Sequence, residues 1–217
     1  MILTKYEHAC FVVEKAGKKV IIDPGGFTTD LDNLNDIVAI ILTHEHFDHL
    51  DIPNITRIID ENPEAKILGH SSLKDQLSDL PFQPVSVGEN VTIEPFHLTF
   101  FGGEHAEIHP SIPHIANLGV MVNNSIYYPG DSFTLPNQPV DVLALPVSAP
   151  WLKLSESFDF MTSVRPKIVF PTHDALLSAA GNGLVDRMVG LFASKINARY
   201  QRLVEPIEIN SDGMDTN

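Results

Sequence analysis

The sequence predicts an α/β protein in which sheets are layered against helices. Three observations predict it. Hydrophobic strand-like runs alternate with helical segments in two roughly matching halves of the chain. In the first half, Val38-Ala39-Ile40-Ile41-Leu42 runs straight into Thr43-His44-Glu45-His46-Phe47-Asp48-His49, and Asp51-Ile52-Pro53 then opens a helix. Further hydrophobic strands also end on a histidine or an aspartate. The pattern accommodates two mixed sheets packed face to face with helices outside, and by itself it also permits one doubly wound sheet.

Residues 4–14 and 18–23 read as two strands joined by Ala16-Gly17, a hairpin signal. Gly25-Gly26 then breaks the sheet. Residues 38–42 form the strand before the histidine run. Ile52, Ile55, Ile58 and Ile59 give a one-sided helix that ends near Asn62-Pro63. Residues 65–68 are a short strand, and Ser71 can cap a helix through about Leu80. Residues 85–87 and 91–101 continue as strands, the latter interrupted around Pro95. Residues 116–123 and 125–128 form a hairpin around Asn123-Asn124. Residues 140–145 are a buried strand, 155–164 a helix and 167–170 a strand. Leu184, Val185, Met188, Val189, Phe192 and Ile196 mark a final long helix. Residues 206–209 close the fold as a strand, and the tail 211–217 is expected to fray. No linker, repeat or low-complexity tract interrupts the chain, so residues 1–217 are expected to form one domain.

The chain has 217 residues, 43% of them hydrophobic and 19% charged, which suits a globular domain with a substantial core. No apolar stretch of about 18 residues exists, so no membrane insertion is expected. The segment Met1-Ile2-Leu3-Thr4-Lys5-Tyr6 lacks the basic-then-apolar layout of a signal peptide. The lone Cys10 has no internal disulfide partner, and its strand-like surroundings make it a core thiol. A cytoplasmic location is expected. The formal net charge of −14 argues against nucleic acid as a partner and leaves a small-molecule substrate. Two bound divalent ions would offset about four negative charges locally, so the site could still attract an anion. Oligomeric state is not encoded in any visible pattern.

In an extended segment His44 and His46 project to the same side and can grip one ion. Asp48 and His49 follow in a tighter turn that carries them to a second position beside the first. Imidazole and carboxylate suit zinc, with manganese or iron as alternatives, and an ion of this kind takes about four ligands. The missing ligands lie at other strand ends: His105 after residues 97–101, Asp131 after 125–130 and His173 after 167–172. A plain histidine-rich surface loop would need neither the strand before it nor the helix cap after it.

These residues resemble the metallo-β-lactamase fold superfamily over nearly the whole chain. Ile21-Ile22-Asp23-Pro24-Gly25 resembles the family's first motif, the run His44 to His49 its second, and His105 its third. Gly130-Asp131-Ser132 resembles the fourth and Pro171-Thr172-His173 the fifth. His105 is preferred over His97, His109 and His114 because it directly follows a strand. Tyr6-Glu7-His8-Ala9-Cys10 is similar to the Gly-His-Ser/Ala segment of the compact branch that includes L-ascorbate-6-phosphate lactonase and N-acyl-phosphatidylethanolamine phospholipase D, with Glu7 in place of the glycine.

The resemblance implies a four-layer αββα sandwich of two mixed β-sheets with helices on the outer faces. It implies two divalent ions: His44, His46 and His105 on one, Asp48, His49 and His173 on the other, and Asp131 bridging them. Asp23 would orient a ligand or its loop. The expected activity is hydrolysis, in which a hydroxide bridging the ions attacks an ester, lactone, amide or phosphodiester of a small molecule. Asp48, Asp131 and His8 are the expected catalytic residues. His8 is the first choice for leaving-group acid over His109 and His114. Trp151 could wall the site, Asp174 could support His173, and residues 105–116 could form a lid. An iron-dependent oxidoreductase or dioxygenase and a non-catalytic metal-binding module are the alternatives.

Overall fold

The computed structural model describes residues 1–29, 31 and 34–210. The expectation for the tail 211–217 lies outside the described residues. Among these residues the chain forms two seven-stranded mixed sheets. The first runs, edge to edge, through β14 (Ile207–Glu208), β1 (Ile2–Lys5), β2 (Phe11–Lys15), β3 (Lys18–Ile22), β4 (Ile37–Leu42), β5 (Lys66–His70) and β6 (Phe82–Val85). The second runs through β13 (Arg199–Tyr200), β12 (Ile168–Thr172), β11 (Val142–Pro146), β10 (Ile126–Tyr128), β9 (Ala116–Val122), β8 (Phe96–Glu104) and β7 (Asn90–Ile93).

Each sheet is antiparallel in one part and parallel in the other. Strands β3 to β6 pair in parallel, as do β10 to β13. Parallel strands need helical crossovers and are covered on both faces, which is why Ile40-Ile41-Leu42 and Val142 to Pro146 are continuously buried. Helix α1 (Ile52–Glu61) packs Ile55 and Ile58 against Ile21, Ile40 and Ile67 of the first sheet. Helices α2 (Leu154–Val164) and α3 (Ala179–Lys195) cover the second sheet with Phe158, Met161, Val185 and Val189. Between the sheets Phe11 meets Tyr128 and Phe170 edge to face, at 5.6 and 5.5 Å. Each such side chain contributes roughly 1.5–3 kcal/mol by leaving water. The architecture is the αββα sandwich, and the doubly wound alternative is excluded.

Several local expectations are corrected. The expected strand 4–14 is two strands, β1 and β2, separated by a turn in which His8 has φ 57°. Residues 71–80 form no α-helix: one 3₁₀ turn, Ser71–Leu73, is followed by further turns. The expected strand 85–87 ends at Val85. The expected interruption of 91–101 around Pro95 is present: the chain turns at Glu94-Pro95 between the antiparallel β7 and β8. Asp51 caps α1 as expected, accepting from the backbone N–H of Asn54 at 3.0 Å. Strand β13 carried no sequence signal, being two residues long. No helix among the described residues is long and apolar enough to cross a membrane.

Candidate metal centre

The ends of β3, β4, β8, β10 and β12 deliver Asp23, the run 43–49, His105, Asp131 and His173 to one place, and the β1–β2 turn adds His8. The run after β4 closes on itself through Leu50 N–H and His49 N–H, both donating to the carbonyl of His46 at 2.9 Å. Gly25 makes room for it: a Cβ there would sit 2.0 Å from the carbonyl oxygen of Asp48. Gly130 has φ 64°, and a Cβ there would lie 2.3 Å from Asn117 Oδ1. That same Oδ1 accepts from Asp131 N–H at 3.0 Å, while Asn117 Nδ2 donates to Pro129 O at 2.9 Å.

Two clusters of metal-competent groups result: His44, His46, His105 and Asp131, and His8, Asp48, His49 and His173. Within each, one potential ligand atom per residue lies within 4.8 Å of the others. The hydrogen bonds determine what each ring can offer. His105 Nδ1 lies 2.6 Å from the carbonyl of Ala106, and His173 Nδ1 lies 2.6 Å from that of Ser148. A carbonyl only accepts, so both Nδ1 atoms carry the proton and both Nε2 atoms of the neutral rings hold a lone pair. His49 Nδ1 faces Asp23 Oδ2 at 2.7 Å. His44 Nδ1 lies 3.0 Å from Thr43 Oγ1, whose own proton goes to Asp23 Oδ2 at 2.6 Å.

The Nε2 atoms of His49, His105 and His173, with Asp131 Oδ1, are buried and lack a hydrogen-bond partner. His173 Nε2 comes within 2.9 Å of Asp131 Oδ2 without the alignment of a hydrogen bond. Leaving such groups unpaired costs about 1–3 kcal/mol each. The donor set therefore fits divalent ions. His44 Nε2 and His46 Nδ1 stand 3.1 Å apart, close to the ~3.3 Å between two nitrogens on one tetrahedral zinc. Asp131 touches both clusters, with Oδ1 at 3.3 Å from His49 Nε2 and Oδ2 at 3.4 Å from His105 Nε2.

His8 is protonated the other way round. Its Nδ1 accepts from Ala175 N–H at 3.3 Å, so its Nε2 carries the proton and donates to Asp48 Oδ2 at 2.9 Å. Burial holds the ring below the usual histidine range, which makes this a hydrogen bond from a neutral imidazole. Burial also pushes His44 well below that range and lowers His46. For His49 burial works the same way, but the Asp131 and Asp23 carboxylates outweigh it and push the ring up to about 9. Burial would raise Asp48 and Asp131. The bond from His8 brings Asp48 down to about 2, and His49 and His173 hold Asp131 well below the carboxylate range.

Some residues that the sequence left open find other work. His97 sits on β8 beside Thr92, and His109 bonds Ser111 on the exposed loop. His114 is exposed, near Glu107. Asp174 does not support His173; its carboxylate pairs with Arg202. Trp151 is half-buried and donates from Nε1 to Asp131 Oδ2 at 2.8 Å. Asn117 had no sequence signal, because its role depends on a β9–β10 pairing.

Residues 2–173 match the family described as beta-lactamase superfamily domain. Protein Rv0786c of Mycobacterium tuberculosis is 33% identical over 189 residues, covering 85% of this chain and 89% of that protein. The UPF0173 protein PF0020 of Pyrococcus furiosus is 28% identical, covering 80% of this chain and 83% of that one. Among solved structures, Igni18, a metallo hydrolase from the archaeon Ignicoccus hospitalis, superposes with a TM-score of 0.74 at 17% identity, over 96% of this chain and 99% of its own. The chain belongs to the beta-lactamase superfamily, in the compact branch of the metallo-β-lactamase fold.

Proposed function

We propose that the protein is a metal-dependent hydrolase of a small cytoplasmic ester, lactone or phosphodiester, working with two divalent ions, zinc in the first instance. The observation that carries this reading is the pair of buried imidazole Nε2 lone pairs on His105 and His173, each oriented by an Nδ1–H bond and neither with a hydrogen-bond partner, beside the likewise unpartnered Asp131 Oδ1. The likeness to Igni18, itself a metallo hydrolase, supports it.

His44, His46 and His105 would hold one ion, Asp48, His49 and His173 the other, with Asp131 shared. When bound, the ions would supply a water acidified enough to act as nucleophile at neutral pH, and positive charge for the oxygen that becomes negative in the transition state. The chain's own residues then orient and move protons. Trp151 and the Asn117-pinned turn fix Asp131. Thr43 and Asp23 fix His44 and His49. In net terms the proton shed by the attacking water becomes the proton taken by the leaving group, and the Asp48 carboxylate, oriented by His8, is its carrier. His8 Nε2–H donates to Asp48 and orients its carboxylate, which is 16% exposed and is the group that takes the proton up and hands it on.

His46→Ala tests the reading. Metal content of the His44–His46–His105 set and hydrolysis of chromogenic esters should be lost together; full activity in the variant would refute the assignment.

A further inference from the structure

Beside His46 and His105 lies a cavity of about 290 Å³. Its wall is the loop after β8: Ile108, Ile112, Pro113 and Ile115 give it an apolar lining, with Glu45 and Glu107 at the same cavity. No lysine or arginine is among its lining residues. The loop is tied in place where His105 N–H donates to Ile115 O at 3.0 Å, Ala106 N–H to Asp131 O at 2.8 Å and Ile112 N–H to His109 O at 2.8 Å. A second cavity, of about 520 Å³, does contain cations, but it shares only His8 with the two ligand clusters. Its cations are also engaged: Arg202 by Asp174 and Asp186, and Lys5 by the carbonyls of Tyr6 and His8.

Resting on the hydrolase reading above, we propose that this cavity receives a short aliphatic group of an uncharged ester or lactone, and that the protein selects against anionic phosphodiesters. A phosphate group is recognised by arginine or lysine, and neither lines the cavity. Of the charged groups there, Glu45 and Glu107 are carboxylates, Glu107 lying 3.7 Å from His114, and no permanent cation of the chain faces an anion. The isoleucines and proline gain from each methylene removed from water, about a four-fold gain in kcat/KM per methylene. A volume at the low end of the usual range of ligand pockets, roughly 300–1,000 Å³, limits the group to a short chain.

Two measurements on zinc-incubated protein test this. The isoleucine δ1-methyl NMR signals of Ile108, Ile112 and Ile115 should shift with N-butylacetamide and stay put with dibutyl phosphate, which has the same alkyl group on an anion. Hydrolysis of p-nitrophenyl acetate, butyrate and hexanoate should rise about four-fold per methylene until the cavity fills, and Ile112→Ser, at a half-exposed position, should flatten that rise. Shifts with dibutyl phosphate, no shifts with the amide, or turnover independent of chain length would each overturn the assignment and leave the hydrolase reading standing. If no ester is turned over and no metal is bound, the hydrolase reading fails, and the methyl shifts still decide what the cavity accepts.

Discussion

The indole Nε1 of Trp151 donates to Oδ2 of Asp131 at 2.8 Å. The loop after β11 thereby reaches across the site and holds the carboxylate that touches both ligand clusters. The same ring packs edge to face on Phe133 at 5.2 Å and lies 6.0 Å from His105, so its position is fixed by packing as well. Trp151→Phe keeps an aromatic ring and removes the donor. Zinc titration should show about ten-fold weaker binding, the scale of change when a group that orients a ligand is lost. Unchanged affinity would mean that Asp131 is held without it.

Asp23 is fully buried and accepts from Thr43 N–H at 2.8 Å, from Thr43 Oγ1 at 2.6 Å and from His49 Nδ1 at 2.7 Å. It also has φ 46°, a left-handed conformation that asparagine tolerates as well as aspartate. Asp23→Asn therefore isolates the loss of charge and of one acceptor. Urea unfolding of the metal-free protein should show a loss of about 3 kcal/mol.

Metal uptake should release protons. In the metal-free protein His49 sits at about 9, above the ordinary 6.5, so at pH 7 it is protonated and zinc must displace that proton. Calorimetric titration in buffers of different ionisation enthalpy should report at least one proton released per chain at pH 7 and progressively less above pH 9. The raised value also has a stability consequence without metal. The protonated ring's contribution is fully present below pH 6.5 and is lost as the pH rises through about 9.

Cys10, directly before β2, is buried, and burial pushes its thiol far above the ordinary range. Iodoacetamide at pH 8 should leave it unmodified in the folded protein and label it fully in urea. Labelling of the folded protein would place the thiol at an accessible site.

The parts of this protein that were legible in the sequence were those with a local signal. The run 38–49 shows both its strand and its ligands because a continuous apolar run and the ligand spacing occupy adjacent residues. Asp51 and Pro53 announce α1 by capping chemistry. The turn holding His8 is hidden in the sequence because the apolar flanks, residues 9–13, mask it, and left-handed φ at a histidine leaves no compositional trace. The roles of Asn117 and Trp151 come from contacts 14 and 20 residues away in sequence, and the partner of Asp174 lies 28 residues on. Such pairings exist only after the sheets have formed. Ser71 has the composition of a helix cap, yet the chain after it makes only turns before entering β6.

Counting metal ions tests the central claim most directly. Protein incubated with excess zinc, freed of unbound metal and analysed by inductively coupled plasma mass spectrometry should carry two ions per chain, and His105→Ala should carry one. A chain that retains none, or a variant that still holds both, would contradict the two-ion centre built from these histidines and aspartates.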